Sequence, residues 1–120
     1  MTAPNIKNPG TITGKTSTTS LSTTSVTSVL TNTASSNKVL KINSIFVANT
    51  GGVSSVSISI SIYNGTNDFY LCKTLNVPGY STQIVSTKES YFYIVEGSSI
   101  RALASTANSV DVIIGYEEIV

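Results

Sequence analysis

The sequence has no histidine and no tryptophan, one cysteine, one methionine and three prolines. Without histidine there is no Ser-His-Asp triad and no Cys-His nucleophile pair; one cysteine allows no internal disulfide and no ordinary zinc or copper site. Most enzyme chemistry is thereby excluded, the chain is not expected to be an enzyme, and no cofactor is expected. Charge is scarce too, at 11% of the 120 residues, against roughly 25% in an average soluble domain. Helix-favouring residues are few: six leucines and six alanines stand against 13 isoleucines, 12 valines, 20 serines and 17 threonines. β-Branched side chains lose rotamer freedom in a helix and fit a pleated surface, so the composition points to strands. The length suits one domain and leaves no room for a second.

The few charges are unevenly placed. The first acid is Asp68, so Lys7, Lys15, Lys38 and Lys41 are unopposed before it. After it, Lys73, Lys88 and Arg101 face Asp68, Glu89, Glu96, Asp111, Glu117 and Glu118. Such polarity can steer head-to-tail contacts between copies; scattered solubilising charge is the plainer explanation. No basic stripe exists to neutralise several phosphates, so nucleic acid is not an expected partner. The N-terminus lacks the apolar core of a secretion signal and no run approaches the ~20 apolar residues of a membrane span, so a chain made in the cytosol, neither secreted nor membrane-bound, is expected.

Along the chain, Pro4 and Pro9 with Asn5, Asn8 and Gly10 suggest an extended arm. Residues 11–37 form a Ser/Thr tract with sparse apolar side chains, predicting short strands near 12–18 and 24–31, with disorder as the alternative. From Val39 the pattern sharpens. Leu40, Ile42, Phe46 and Ala48 alternate with Val39, Ile45 and Val47, so both faces are partly apolar, as in a central strand or one whose outer face the arm covers. In residues 53–63, Val56, Ile58, Ile60 and Ile62 alternate strictly with Ser55, Ser57, Ser59 and Ser61, which puts the isoleucines in a core and the serines on the opposite face. Asn64-Gly65-Thr66-Asn67 reads as a hairpin turn into a strand over 69–77 that ends at Pro78-Gly79. Further strands are predicted near 81–87, 91–94, 99–105 and 110–119. The spacing near ten residues and the lack of helical periodicity give the fold class: all-β, an antiparallel β-sandwich, jelly-roll or immunoglobulin-like, over residues 21–120, preceded by an extended N-terminal arm over residues 1–20.

Candidate chemistry fails on context. Gly10 to Thr16 resembles a phosphate-binding loop, but it is one residue short between the glycines and opens into a β-branched run instead of a helix. Ser35-Ser36-Asn37-Lys38 has the serine-x-x-lysine spacing of acylating enzymes but sits in a turn, not on a helix face. Glu117 and Glu118 are adjacent on a strand and so point to opposite faces. Cys72, mid-strand and in phase with Tyr70, reads as a small core hydrophobe. Asn64-Gly65-Thr66 is formally a glycosylation acceptor but is better explained as turn chemistry.

Three features bear on partners. Sheet proteins guard open edges with lysine, proline or bulges, yet the interval from Ile42 to Asn67 carries no charge. A hydroxyl-rich, uncharged face of this kind is expected to be covered by neighbouring subunits, the alternative being a soluble monomer with a neutral polar surface. Tyr91 and Tyr93 must point one way and Phe92 the other, and Tyr80 lies in a turn; these tyrosines suit an interface or the filling of a sandwich mouth. The arm can add a strand to a neighbour's sheet and so yield oligomers. The candidate interface residues are Ile6, Ile12, Leu21, Tyr80, Tyr91 and Tyr93.

The runs KVLKINSIFVANTGG, LCKTLNVPGYST and YIVEGSSIRALASTANSVDVIIGYEEI together resemble small virion structural proteins of tailed bacteriophages, notably those of marine and cyanobacterial hosts. The resemblance covers about residues 38–119. It rests on Lys41 to Ile45, the Pro78-Gly79 turn, Gly97 to Ile100, and Val110 to Glu118, and leaves the Ser/Thr tract unmatched. It implies a sandwich located in the virion, one that decorates or cements a capsid, binding the major capsid protein or other virion proteins and its own copies as a homo-oligomer. A neck, tail or fibre-tip component is the alternative within virions. A carbohydrate- or receptor-binding sandwich, using Tyr80, Asn64 and Asn67 as a stacking platform, is the alternative outside that class.

Overall fold

The computed structural model describes residues 7–52 and 54–120. Among them are nine strands: β1 (Ile12–Leu21), β2 (Thr27–Asn32), β3 (Val39–Asn49), β4 (Val56–Tyr63), β5 (Asp68–Val77), β6 (Thr82–Ser86), β7 (Phe92–Ile94), β8 (Ser98–Ala104) and β9 (Val110–Ile119). One 3-10 turn, Lys88–Ser90, separates β6 from β7. The strands form two antiparallel sheets packed face to face. The larger has the order β1-β9-β3-β6 with β7 also paired to β3; the smaller has the order β2-β8-β4-β5. The chain changes sheet at every connection except β4 to β5 and β6 to β7. An immunoglobulin sandwich keeps its first two strands in one sheet, whereas here β1 and β2 lie in different sheets. The interleaved order is that of a jelly roll, with β7 as an addition.

Alternation decides which side chains meet between the sheets. Ile42, Ile45 and Val47 of β3 and Val112 and Ile114 of β9 enter from the larger sheet; Ile58 and Ile60 of β4 and Ile100 of β8 enter from the smaller, and all are buried. Ala104 lies beside Ile58 and Ala102 beside Ile60 in the smaller sheet, so small side chains alternate with large ones on its inner face. The uncharged interval from Ile42 to Asn67 contains most of β3 and all of β4, which are flanked by partners on both sides. Its lack of charge therefore follows from a central position in each sheet and does not mark an edge awaiting a neighbour.

The expected arm boundary at residue 20 does not match the strand pattern. Residues 12 to 21 pair along their whole length with β9 of the same chain, from Ile12 opposite Ile119 to Leu21 opposite Val110. Threonine and serine suffice here because the strand lies at a sheet edge and needs an apolar contact only where it enters the core. That contact is Leu21, 1% exposed and part of the core, so its assignment to an interface is corrected.

Two buried asparagines tie the sheets together at strand ends. Asn49, closing β3, donates from Nδ2 to the Val77 carbonyl at the end of β5 (3.0 Å) and to the Ser54 carbonyl (2.8 Å), while its Oδ1 accepts from the Gly51 N–H (3.0 Å). Asn32, closing β2, donates to the Ile94 carbonyl of β7 (3.0 Å) and to the Lys38 carbonyl (2.9 Å), and its Oδ1 accepts from the Ser36 hydroxyl. Beside it, the Gly97 N–H donates to the Asn32 carbonyl (2.8 Å) from a residue with φ of 81°, a conformation glycine adopts without strain. Each amide thus donates to a strand carbonyl of the opposite sheet and to a loop carbonyl beside it. Asn49→Ala and Asn32→Ala are each expected to lower the unfolding free energy by about 2–4 kcal/mol, because buried carbonyls lose their donors. Urea denaturation followed by circular dichroism measures this; a loss within about 0.5 kcal/mol, the range of ordinary surface changes, contradicts it.

Candidate functional site

The outward face of the larger sheet carries the arrangement that stands apart from an ordinary hydroxyl surface. Strand register places Thr18, Ile113, Phe46 and Ile84 in one row across β1, β9, β3 and β6. Residues directly opposite share a face, so the three apolar side chains form a continuous stripe. Ile84 is 58% exposed, Ile113 37% exposed and Phe46 half-buried. The next row reads Ser20, Asp111, Ala48 and Thr82, and the Ser20 hydroxyl donates to Asp111. A shallow groove of about 310 Å³ runs beside the stripe, lined by Thr18, Thr19, Ser20, Asp111 and Ile113.

Toward the other end of the same face, Lys41 lies between Glu117 of β9 and Tyr93 of β7. Asn43 is the extra residue of a bulge in β3 and donates from Nδ2 to Glu117 Oε1 (3.0 Å), leaving its buried Oδ1 without a partner. Tyr91 and Tyr93 meet edge to face with ring centroids 5.9 Å apart, and the Lys41 ammonium sits 4.5 Å from the Tyr91 centroid. Phe92 turns the other way and packs against the core.

Of the candidate interface residues, then, Tyr91 and Tyr93 are brought together, both exposed and on this face. Ile12 is exposed at the start of β1, Leu21 is buried, and Ile6 lies outside the described residues. Tyr80 is largely exposed in the turn after β5, while Asn64 and Asn67 form the turn before it. The ten residues of β5 separate them by about 30 Å, so Tyr80, Asn64 and Asn67 do not assemble into one platform.

The serine face of β4 is covered by the chain itself. Ser59 is 6% and Ser61 4% exposed. The Thr74 N–H donates to Ser59 Oγ (3.0 Å), and Ser61 Oγ donates to Asp68 (3.0 Å), which Arg101 approaches at 3.5 Å while stacking over Tyr63. These serines need no neighbouring subunit. The sequence signal missed was Val112-Ile113-Ile114: three consecutive apolar residues in a strand force one outward.

Two ionisable groups bear on stability and reactivity. Burial pushes the Glu118 carboxyl up, but hydrogen bonds from and charges on Lys15 (3.1 Å) and Lys38 (3.3 Å) outweigh it and hold the carboxyl below its ordinary value. Burial pushes the Cys72 thiol up, opposed by a backbone hydrogen bond at Ile60. A bulge between the Ile60 and Ser61 pairings aligns Cys72 with Ile60 and the core while Tyr70 aligns with outward Ser61, so the expected common phase of Cys72 and Tyr70 is corrected. Among the described residues no three of Cys, Asp and Glu converge as a metal site.

No protein-family model matches the chain. No curated protein matches it either. What the molecule does must be argued from this geometry.

A folded-state value below the unfolded one means that the Glu118 contribution is present above the ordinary carboxylate range and lost as pH falls through the folded value. The stability gap between the wild type and Glu118→Gln, open at about pH 7, is expected to close below about pH 4 in thermal melts; a gap independent of pH contradicts this. Cys72, held as the neutral thiol, is expected to react with a maleimide at pH 7 much more slowly in the native protein than in urea. Mass spectrometry over time decides, and equal rates contradict the burial of the thiol.

Proposed function

We propose that this chain is a non-enzymatic structural subunit that docks the outward face of its larger sheet onto a bigger protein surface, and that its place of work is a virion, where it decorates or cements the capsid shell. The observation that carries the proposal is the stripe Ile113, Phe46, Ile84, set in a face whose neighbouring rows are small or polar. Covering a large aliphatic side chain stabilises by about 1.5–3 kcal/mol when burial is complete, so partial burial of three gives a weak contact per copy. Repetition on a shell that presents many identical sites turns weak contacts into durable attachment once copies are linked. The flanking threonines and serines need little desolvation, which suits a surface soluble before docking and dry afterwards.

A receptor- or glycan-binding role is the second reading, favoured by the exposed pair Tyr91 and Tyr93. The Lys41 ammonium already occupies the face of Tyr91, leaving Tyr93 as the open ring, so docking is preferred. Jelly rolls serve both capsid and lectin domains, and the fold does not choose between them.

The proposal predicts that the protein is present in purified virions at a copy number comparable with the shell protein on a stained gel. It also predicts that Ile113→Asp or Ile84→Asp abolishes attachment to particles lacking the protein, with stability changed by no more than about 1 kcal/mol. Absence from particles overturns the virion location. Full attachment by both variants overturns the docking face.

A further inference from the structure

The four edges of the sandwich are not equally protected against pairing with another chain. β5 carries two register shifts and a left-handed Thr74, β2 a shift between Ser28 and Leu30, and β6 a shift opposite Ile45 and Phe46; β7 is three residues long. Bulges and short length are how sheets blunt an edge. β1 has neither. It pairs with β9 over ten consecutive positions with no shift, and among the described residues no strand lies on its other side. Lys15 is its single charge.

Which backbone groups face outward follows from the register. Thr11 and Val120 exchange both of their hydrogen bonds (3.3 and 2.9 Å), so positions two apart from Thr11 bond to β9 in turn. Thr13, Lys15, Ser17 and Thr19 therefore point their backbone groups at β9, while Ile12, Gly14, Thr16, Thr18 and Ser20 point theirs away. A Cβ added at Gly14 would meet only open space.

We propose that this free edge pairs antiparallel with β1 of a second copy, joining two larger sheets into one continuous sheet across a two-fold axis at Thr16 or Ser17. Parity restricts the register, since outward groups must meet outward groups. With the axis at Thr16, Gly14 faces Thr18 and Lys15 faces Ser17; with the axis at Ser17, Lys15 faces Thr19. Both registers keep the two lysines apart and set hydroxyl side chains opposite one another, a favourable cross-strand pairing. Parallel in-register pairing would stack Lys15 on Lys15. Each β1 stays with its own β9, so no strand is exchanged. The contact also sets the two apolar stripes on one shared face. It deepens the assembly reading by naming the surface through which copies meet, but it uses a different surface from the docking face.

The full chain is tested by sedimentation velocity from about 1 to 200 μM, a range that spans micromolar dissociation constants, alongside Thr16→Pro and Gly14→Pro, each of which removes an outward N–H. Both spare the ladder to β9. A concentration-dependent dimer in the wild type, with at least a tenfold weaker dissociation constant in either variant that retains the native circular dichroism spectrum, is the expected result. A wild type that stays monomeric throughout overturns the proposal, as does a dimer that both folded variants leave unchanged. Should Thr16→Pro unfold, Gly14→Pro decides alone, since position 14 lies at the strand's start, outside the apolar stripe, and a Cβ there meets only open space. Particle attachment by a monomeric variant distinguishes failure of the edge from failure of the docking face.

Discussion

The antiparallel ladder that sets β9 between β1 and β3 is the interaction on which the rest of the molecule depends. Its ten residues pair on both sides. One face sends Val112 and Ile114 into the core, and the other carries Ile113 into the exposed stripe and Glu117 to Lys41 and Asn43. Near its end, Glu118 gathers Lys15 from β1 and Lys38 from the approach to β3. A slip of one residue would exchange these faces, burying charge and expelling the core, so register here is strongly specified.

A surface poor in charge is consistent with this arrangement without implying an unfinished monomer. The serines of β4 are satisfied by Thr74 and Asp68 of the same chain. Asn32 and Asn49 supply the inter-sheet hydrogen bonds that a disulfide or metal would provide in another small domain. An apolar row crosses the outward face of the larger sheet, a second exposed cluster of Phe69, Tyr70 and Leu71 lies on β5 of the smaller sheet, and free backbone pairing capacity lies at β1. The row on the larger sheet and the edge at β1 are distinct surfaces with different physics, one driven by burial and the other by hydrogen bonding.

Much of the architecture was legible from alternation. Val56 to Ile62 announced β4, the Asn64 to Asn67 turn announced its hairpin, and the opposed directions of Phe92 and its flanking tyrosines follow from period two. The jelly-roll order was not legible, because strand patterns carry no record of which sheet receives each strand. Nor was the integration of β1: a run such as ITGKTSTTSL has too few apolar residues to betray a core contact, and Leu21 looked like another isolated leucine. The bulge at Asn43 broke the alternation that had put Ile42 in phase with Phe46, and a bulge within β5 broke the one that had put Cys72 in phase with Tyr70. The stripe was only half visible. Phe46 stood out as apolar on the second face of β3, but its alignment with Ile84 and Ile113 depends on register between strands far apart in sequence.

The central claim is that the outward face of the larger sheet is covered when the protein is at work. Hydroxyl-radical footprinting of the free protein and of the protein on intact particles measures this residue by residue. Ile84, Ile113 and Phe46 are expected to be oxidised in the free protein and protected on the particle, with Phe69 and Tyr80 serving as exposed controls. Equal oxidation of the stripe in both states would contradict the account.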